Sequence, residues 1–363
     1  MDNFTLWIFY IVFAIGILVF SLVINGLLLK FAKTLGIRNN SDSTIIRWGS
    51  TAKPAMGGIG FYIVFLISYI GLSTYTAEIK FFHNIQTVGV LLAVTVGFFI
   101  GLFDDAYNTR PWLKFAGQTL CALILIASGV YISFFSNDSL NYLLTFLWVV
   151  GLMNSINMLD NMDAISSVSS LGILASMLAI LLLHGDITSP FVLIIFGIIA
   201  ALIGFLFFNW SPSKLYMGDT GSQFLGVLLA SLGIILLWNQ QVEGIEISRF
   251  TRVIIIATAF ALPLVDTTTV FIKRIAKGKS PFIGGRDHTT HHLSYLGLSD
   301  RQVALIFLGI SLIAGVLTTR IFCLAGTWTP IYWTLFSLFP AIVFLFLFLV
   351  AVTTSAPLKK KES

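Results

Sequence analysis

Charge is what this sequence has least of: 10% of its 363 residues are Asp, Glu, Lys or Arg, against roughly 25% in soluble globular chains. Hydrophobic residues make up 57%, and no polar stretch is long enough for a separate water-soluble domain. The shortage excludes an ordinary cytosolic protein and predicts an all-α integral membrane chain. Cysteine is equally scarce. Cys121 and Cys323 both fall in apolar runs with no metal-ligand spacing, so they read as small buried hydrophobes. The first apolar run, near 6–29, has no basic flank before it and no small-residue cleavage signal, and predicts a retained spanning helix rather than a removed leader. No internal repeat is evident, which weighs against a transporter built on duplicated halves. The net charge of +5 comes from basic residues in short loops and reads as membrane topology bias, so nucleic acid is not an expected partner.

What is abundant is apolar length. A spanning helix needs about 20 mainly apolar residues. Eleven segments approach this, near 6–30, 57–74, 84–103, 113–135, 140–159, 164–183, 190–208, 222–238, 250–272, 302–325 and 328–352. They predict a polytopic bundle of about 11 transmembrane helices forming one domain over 1–363. Its motif-bearing core covers about 30–300, two C-terminal spans cover 302–352, and a basic tail follows over 353–363. With the N-terminus outside, 17 of the 21 Lys and Arg residues fall on the inner side and four (Lys80, Arg249, Arg252, Arg320) on the outer. That asymmetry predicts a cytoplasmic C-terminus and a bilayer as the protein's solvent.

On this map the polar residues gather on the inner face. The stretch 153–165 is the densest. On a helix Asn154, Asn157, Asp160 and Asn161 share one face, with Asp163 three residues beyond Asp160. Asp104 and Asp105 end the third span, Asp219 lies in the 209–222 link, Asp266 sits inside the ninth span, and His288, His291 and His292 occupy the loop 273–301. Carboxylates are expensive in hydrocarbon, and at the edge of a span they usually line a polar cavity or bind an ion. Acids with Asn and Gly neighbours and no Cys favour a hard cation, Mg²⁺ with Mn²⁺ as a substitute. The same face offers Lys114, Lys214, Lys273, Arg274, Lys277, Lys279 and Arg286, enough positive charge for a pyrophosphate. Together these predict phosphoryl transfer between a soluble nucleotide and a molecule in the bilayer.

Rival readings of the same residues are blander. The 153–165 stretch could be a polar helix end, the histidines a zinc site or simply loop structure, and the run Gly57, Gly58, Gly60 close helix packing rather than a nucleotide loop. An ion-coupled transporter would want its acids near mid-membrane with access from both sides. A scaffold explains the spans but not the convergent acids.

Several of these runs resemble one family. PAMGGI at 54–59, GLFDD at 101–105, PWLKFAGQ at 111–118, 154–163, the link 209–222 ending in MGDTGS, PLVD at 263–266 with Lys273 and Arg274, and GRDHTTHHL at 285–293 are similar to polyprenyl-phosphate N-acetylhexosamine-1-phosphate transferases (glycosyltransferase family 4) and occur in that family's order. The resemblance implies transfer of a sugar-1-phosphate from a UDP-N-acetylhexosamine to polyprenyl (undecaprenyl) phosphate. UMP is released and Mg²⁺ is needed, as a first membrane step of cell-wall or surface-polysaccharide synthesis. It also implies an active site on the cytoplasmic face of the plasma membrane. Asp219 is the expected metal ligand with Asn157 beside it; Asp104 and Asp105 act at the lipid phosphate or metal, and Asp160 and Asp163 complete the acidic cleft. Lys114, Asn154, Asn161, Arg274, Arg286, His288, His291 and His292 are the expected substrate contacts. Two positions depart from the pattern. Asn108 stands where some members carry a third acid or a lysine, and the last loop reads HTTHHL instead of the three-histidine-plus-acid run of the phospho-N-acetylmuramoyl-pentapeptide branch. The second departure points to the branch that uses a simple donor, N-acetylglucosamine first. Lipid-facing spans leave room for a homodimer.

Overall fold

The computed structural model describes residues 3–35, 53–75, 84–183, 187–241, 247–280, 285–324 and 328–355. Arg38, Arg47, His83, His184 and the part of the basic tail from 356 on lie outside the described residues. Among the described residues the regular structure is helical: α1 (Asn3–Leu35), α2 (Gly57–Tyr75), α3 (Ile85–Tyr107), α4 (Pro111–Ala127), α5 (Asp138–Leu159), α6 (Ile165–Leu183), α7 (Pro190–Asn209), α8 (Gly218–Gly233) running on into a π-helical turn (Ile234–Trp238), α9 (Arg249–Ala259), α10 (Ala261–Ala276), α11 (Thr289–Tyr295), α12 (Asp300–Cys323) and α13 (Pro330–Thr353). Eight are long and apolar enough to cross a bilayer: α1, α3, α5, α6, α7, α8 with its π turn, α12 and α13. The pair α9–α10 makes a ninth if counted as one bent span, and α2 and α4 are shorter apolar helices. In chain order these units coincide with the eleven apolar segments, and the chain is a multi-pass membrane protein.

Two segments differ from the straight spans expected. Residues 113–135 are helical only to Ala127. There Gly129 turns left-handed (φ +81°), its N–H bonds Ile126 O at 3.0 Å, and Val130 N–H bonds Leu125 O at 2.8 Å, a glycine stop that satisfies the last carbonyls. The chain then runs extended, its N–H groups held by Thr145 Oγ1, Asn239 Oδ1 and Asn141 Oδ1. Side chains thus replace the helix ladder there, as a nonaqueous surrounding demands. The segment 250–272 breaks at Phe260 into two helices bent by 82°. Pro263 cannot donate to the carbonyl of Ala259, so the hydrogen-bond ladder fails where the bend lies.

The centre of the molecule is α8, polar in its first turns, mainly apolar beyond Gln223, and buried from Thr220 to Gly233. It packs on α2, α3, α5 and α6, with α4 between α3 and α5, and α1 with α7 behind α2. A second apolar cluster joins the α5–α6 turn to α10, α12 and α13. Glycine sets how closely the elements around α8 approach. A Cβ on Gly58 would lie 2.2 Å from Gly221 N, and one on Gly101 would lie 2.2 Å from Asp219 O. The Gly57–Gly58 pair is therefore packing glycine, with Gly57 N–H and Gly58 N–H bonded to Tyr216 O and Met217 O, both at 3.1 Å. Gly58→Ala should lower thermal stability in detergent by about 1–3 kcal/mol, because the clash is backbone against backbone and cannot be relieved by a rotamer. Gly309→Ala, with nothing within 4 Å of the new methyl, is the control and should leave the melting temperature unchanged. Equal behaviour of the two variants would show that this contact does not set the spacing.

Candidate active site

The polar end of the bundle is built from helix termini. At the end of α3, Asn108 takes the left-handed conformation (φ +50°), which Asn tolerates better than most residues, and its N–H closes the helix on Asp104 O at 2.8 Å. The role of this departing position is thus a helix stop. Thr109 then donates its backbone N–H (2.9 Å) and its hydroxyl (2.6 Å) to Asp104 Oδ1, leaving Oδ2 to receive Lys114 at 3.0 Å. Lys114 lies on the first turn of α4, and its ammonium also reaches Asn157 Oδ1 at 3.1 Å and Asp219 Oδ1 at 3.4 Å. One cation therefore ties together α3, α4, α5 and α8. Asn157 completes the hub by donating its amide to Asp219 Oδ1 and, at 2.9 Å, to Ser222 Oγ.

One turn deeper lies a layer of carboxamides. Asn154 and Gln118 exchange hydrogen bonds at 2.8 and 3.2 Å, and Gln118 donates to Gln223 Oε1 at 3.0 Å. Asn154, expected at the substrate, supports the hub from below. Gln118 and Gln223 repeat the hub by helical register: Gln118 is four residues after Lys114, and Gln223 four after Asp219. That spacing was readable in the sequence; their meeting was not.

Asp105 plays a different part from its neighbour. Its Oδ1 accepts Asp219 N–H at 3.0 Å, and its Oδ2 accepts Thr220 N–H at 2.8 Å and Thr220 Oγ1–H at 2.6 Å. It caps the N-terminus of α8 from another helix, and so fixes where Asp219 stands. Asp163 is likewise engaged, its Oδ2 accepting Ser213 N–H at 2.8 Å and its Oδ1 accepting Ser213 Oγ–H at 2.7 Å, with Lys53 Nζ at 4.0 Å. Lys53 in turn donates to Ser213 Oγ at 3.1 Å and lies over the Tyr216 ring. The turn carrying these acids is strained at Ala164 (φ +69°), and Asn209 holds it there by accepting Ala164 N–H at 3.0 Å. Asp160, at the end of α5, accepts no hydrogen bond from the described residues, and burial together with Asp219, Asp105 and Asp163 pushes its carboxyl up to about 8. Of the lysines, Lys114 pairs with Asp104 and Asp219, and Lys53 with Asp163.

The histidine segment meets this cleft from the other side. Thr290 Oγ1 donates to Asn161 Oδ1 at 2.6 Å, joining α11 to the acid-bearing turn. Asp266 on α10 accepts Thr289 N–H and hydroxyl at 2.8 and 2.7 Å and pairs with His288 Nδ1 at 2.8 Å. Arg274 is committed to Asp287 by two bonds of 2.8 and 2.6 Å, and this pairing holds the Asp287 carboxyl below its usual range despite burial. Lys273 bonds His292 and the Ala351 carbonyl, and His292 bonds Thr354 Oγ1 at 2.6 Å, so the end of α13 buttresses α11. Burial lowers His291 to about 3, with His288 adding to the effect, and burial with Lys273 lowers His292 to about 4. Both shifts favour the neutral ring. Arg286 is exposed at the rim, its carbonyl receiving the Tyr295 hydroxyl at 2.9 Å.

Among the described residues no three His, Cys, Asp or Glu side chains stand in a ready metal cage. The donor set is nonetheless one of hard oxygens, and Mg²⁺ is commonly held by one or two carboxylates plus substrate phosphates. Asp219 and Asp160 suit that description. The Asp219 side chain is 32% exposed against 11% for Asp104, and Asp160 has its oxygens unclaimed. Asn157 turns its nitrogen, not its oxygen, toward Asp219 and acts as an orienting donor.

Residues 87–237, which carry α3 through α8 and most of these acids, match the glycosyl transferase family 4 model. The chain is similar to a probable undecaprenyl-phosphate N-acetylglucosaminyl 1-phosphate transferase of Bacillus subtilis, 29% identical over 80% of this chain and 78% of the relative. It is 28% identical to a decaprenyl-phosphate N-acetylglucosaminephosphotransferase of Mycobacterium leprae, over 75% and 74% of the two chains. A phospho-N-acetylmuramoyl-pentapeptide-transferase of Lactobacillus johnsonii is 26% identical over 74% of this chain and 84% of the relative. The family match thus covers α3 through α8, and these relatives align over about three quarters of the chain, which is similar to members of glycosyl transferase family 4.

Proposed function

We propose that the protein transfers N-acetylglucosamine-1-phosphate from its UDP-sugar to a polyprenyl phosphate in the bilayer, releasing UMP, on the cytoplasmic face of the plasma membrane. The observation that carries this reading is the Lys114 hub. One ammonium within 3.4 Å of Asp104, Asn157 and Asp219 marks a place where phosphate oxygens and a hard cation can share charge at the end of a lipid-embedded bundle. The names of the Bacillus and Mycobacterium relatives support N-acetylglucosamine as the sugar.

The acceptor brings its own nucleophile. A phosphate monoester has a second pKa near 6 and is largely dianionic at neutral pH, so no strong base is required. Rate enhancement then comes from positioning and charge neutralisation. Asp105 has both oxygens taken by α8 and holds Asp219 in register, so it is poorly placed to attack phosphorus. Lys114 compensates Asp104 and Asp219 until phosphate arrives and then faces the incoming oxygens. Asp219 and Asp160 would hold Mg²⁺, which when bound supplies charge neutralisation of the pyrophosphate. Asp163 and Lys53 secure the 209–217 link over the cleft. We favour direct in-line displacement over a covalent phosphosugar–enzyme intermediate, for which Asp160 is the remaining carboxylate.

Purified protein in detergent, given UDP-N-acetylglucosamine, polyprenyl phosphate and Mg²⁺, should release UMP. Turnover with UDP-N-acetylmuramoyl-pentapeptide and none with the simple donor would move the chain to the other branch. Asp219→Asn should lower turnover by at least about 100-fold, in keeping with loss of one fixed charge at a phosphoryl-transfer site, and flatten the Mg²⁺ dependence; near wild-type rates would refute the assignment. Incubation with labelled UDP-sugar but no lipid acceptor should leave the protein unlabelled, and a stable adduct at Asp160 would overturn direct displacement.

A further inference from the structure

Asp266 is a charged side chain that the reaction outlined above does not use. It is fully buried, two helical turns before Lys273 on the inner half of the broken span, and a carboxylate in such a place needs a reason. Its Oδ1 accepts two hydrogen bonds from Thr289, through N–H at 2.8 Å and Oγ1–H at 2.7 Å. Its Oδ2 faces His288 Nδ1 at 2.8 Å. Oδ1 is thus taken by two donors, and Oδ2 stands where it can accept a proton carried on His288 Nδ1. The other nitrogen, Nε2, has no hydrogen-bond partner among the described residues.

We propose that Asp266 is a positioning residue that fixes His288 with its proton on Nδ1, so that Nε2 is the atom offered to the phosphates of the nucleotide-sugar donor. This rests on the donor reading above. Three observations lead to it. Thr289 anchors the backbone beside His288 to Asp266, and Thr290 anchors the next residue to Asn161 on the acid-bearing turn, so His288 stands between the buried carboxylate and the cleft. The His291 ring lies edge-on to His288 at 5.3 Å and limits its rotation. Two other buried cations nearby are engaged, Arg274 with Asp287 and Lys273 with His292 and the Ala351 carbonyl. With Nδ1–H tied to Asp266, a second proton can be added only at Nε2, and the buried carboxylate compensates the resulting charge. The protonated ring then has one donor, directed away from Asp266, for a phosphate oxygen on which negative charge grows. A histidine held by a buried aspartate in this way has its tautomer and orientation fixed, and losing the aspartate's charge while keeping its shape reverses the tautomer.

The test uses the full-length protein in detergent with ¹⁵N-labelled histidine. The His288 resonances are identified by their loss in His288→Gln. In the wild type His288 should carry its proton on Nδ1; a proton on Nε2 alone overturns the proposal without need of any variant. Asp266→Asn keeps the acceptor for Thr289 but presents an amide N–H to the ring, and should move the proton to Nε2. In the same variant kcat should fall about 100-fold or more, in line with wrong-tautomer effects in aspartate–histidine pairs, while the KM for polyprenyl phosphate stays within about twofold. Asp266→Glu, which restores a carboxylate, should recover part of kcat and the Nδ1 proton. A flipped tautomer with unchanged kcat would leave the hydrogen bond real and refute its role. If the wild type turns over no UDP-sugar, the donor reading fails while the tautomer measurement still decides the pair.

Discussion

A single ammonium group inside a hydrocarbon-embedded bundle is the constraint on which the polar end of this molecule depends. Lys114 sits within 3.4 Å of oxygens from α3, α5 and α8, and none of those carboxylates could be kept there cheaply without it. Isolated charges in a low-dielectric interior carry a large desolvation penalty, offset only by close opposite charge and saturated hydrogen bonding. The structure supplies both. Thr109 saturates Asp104, Asn157 and Ser222 form a chain to Asp219, and the amides of Gln118, Asn154 and Gln223 continue the pattern one turn deeper. Asp160 is the exception: burial, with Asp219, Asp105 and Asp163 nearby, raises its carboxyl.

The acids at this end divide by what their oxygens do. Asp105, Asp163 and Asp266 have their oxygens engaged by backbone and side-chain donors, and each pins a segment: the start of α8, the link before it, and the start of α11. Asp219 and Asp160 are open by comparison, and Asp104 lies between, shared by Thr109 and Lys114. Two kinds of acid that look alike in sequence, those held by several donors and those with open oxygens, are thereby separated. The glycines at 58, 101 and 221 make the arrangement possible, because only without side chains can α2 and α3 approach the start of α8 closely enough for Asp105 to reach its N–H groups.

The broken span serves the same end. A straight helix over 250–272 would carry Asp266 along one axis through the bilayer, whereas the 82° bend at Phe260 swings α10 toward α11 and α13. Asp266, Lys273 and Arg274 then become the floor to which the histidine segment is tied.

By itself the sequence determined the solvent of this protein and the membership of its polar end. Hydropathy alone marks eleven apolar units, because a helix that spans lipid must be long and nearly free of charge, and nearly every residue at the polar end was visible as an ionisable or amide side chain at the edge of such a unit. Pro263 and Gly129 signalled in principle where two of those units would fail, yet apolar composition continues across both breaks and hides them. What only the tertiary structure decided is how the acids share their work. That depends on which donor reaches which oxygen, and on residues such as Gln118, Ser213 and Thr289, whose composition carries no mark of a site. Their partners lie 36 residues away for Gln118 and Asn154 and 105 for Gln118 and Gln223, and distances along a chain do not say which helix faces will meet.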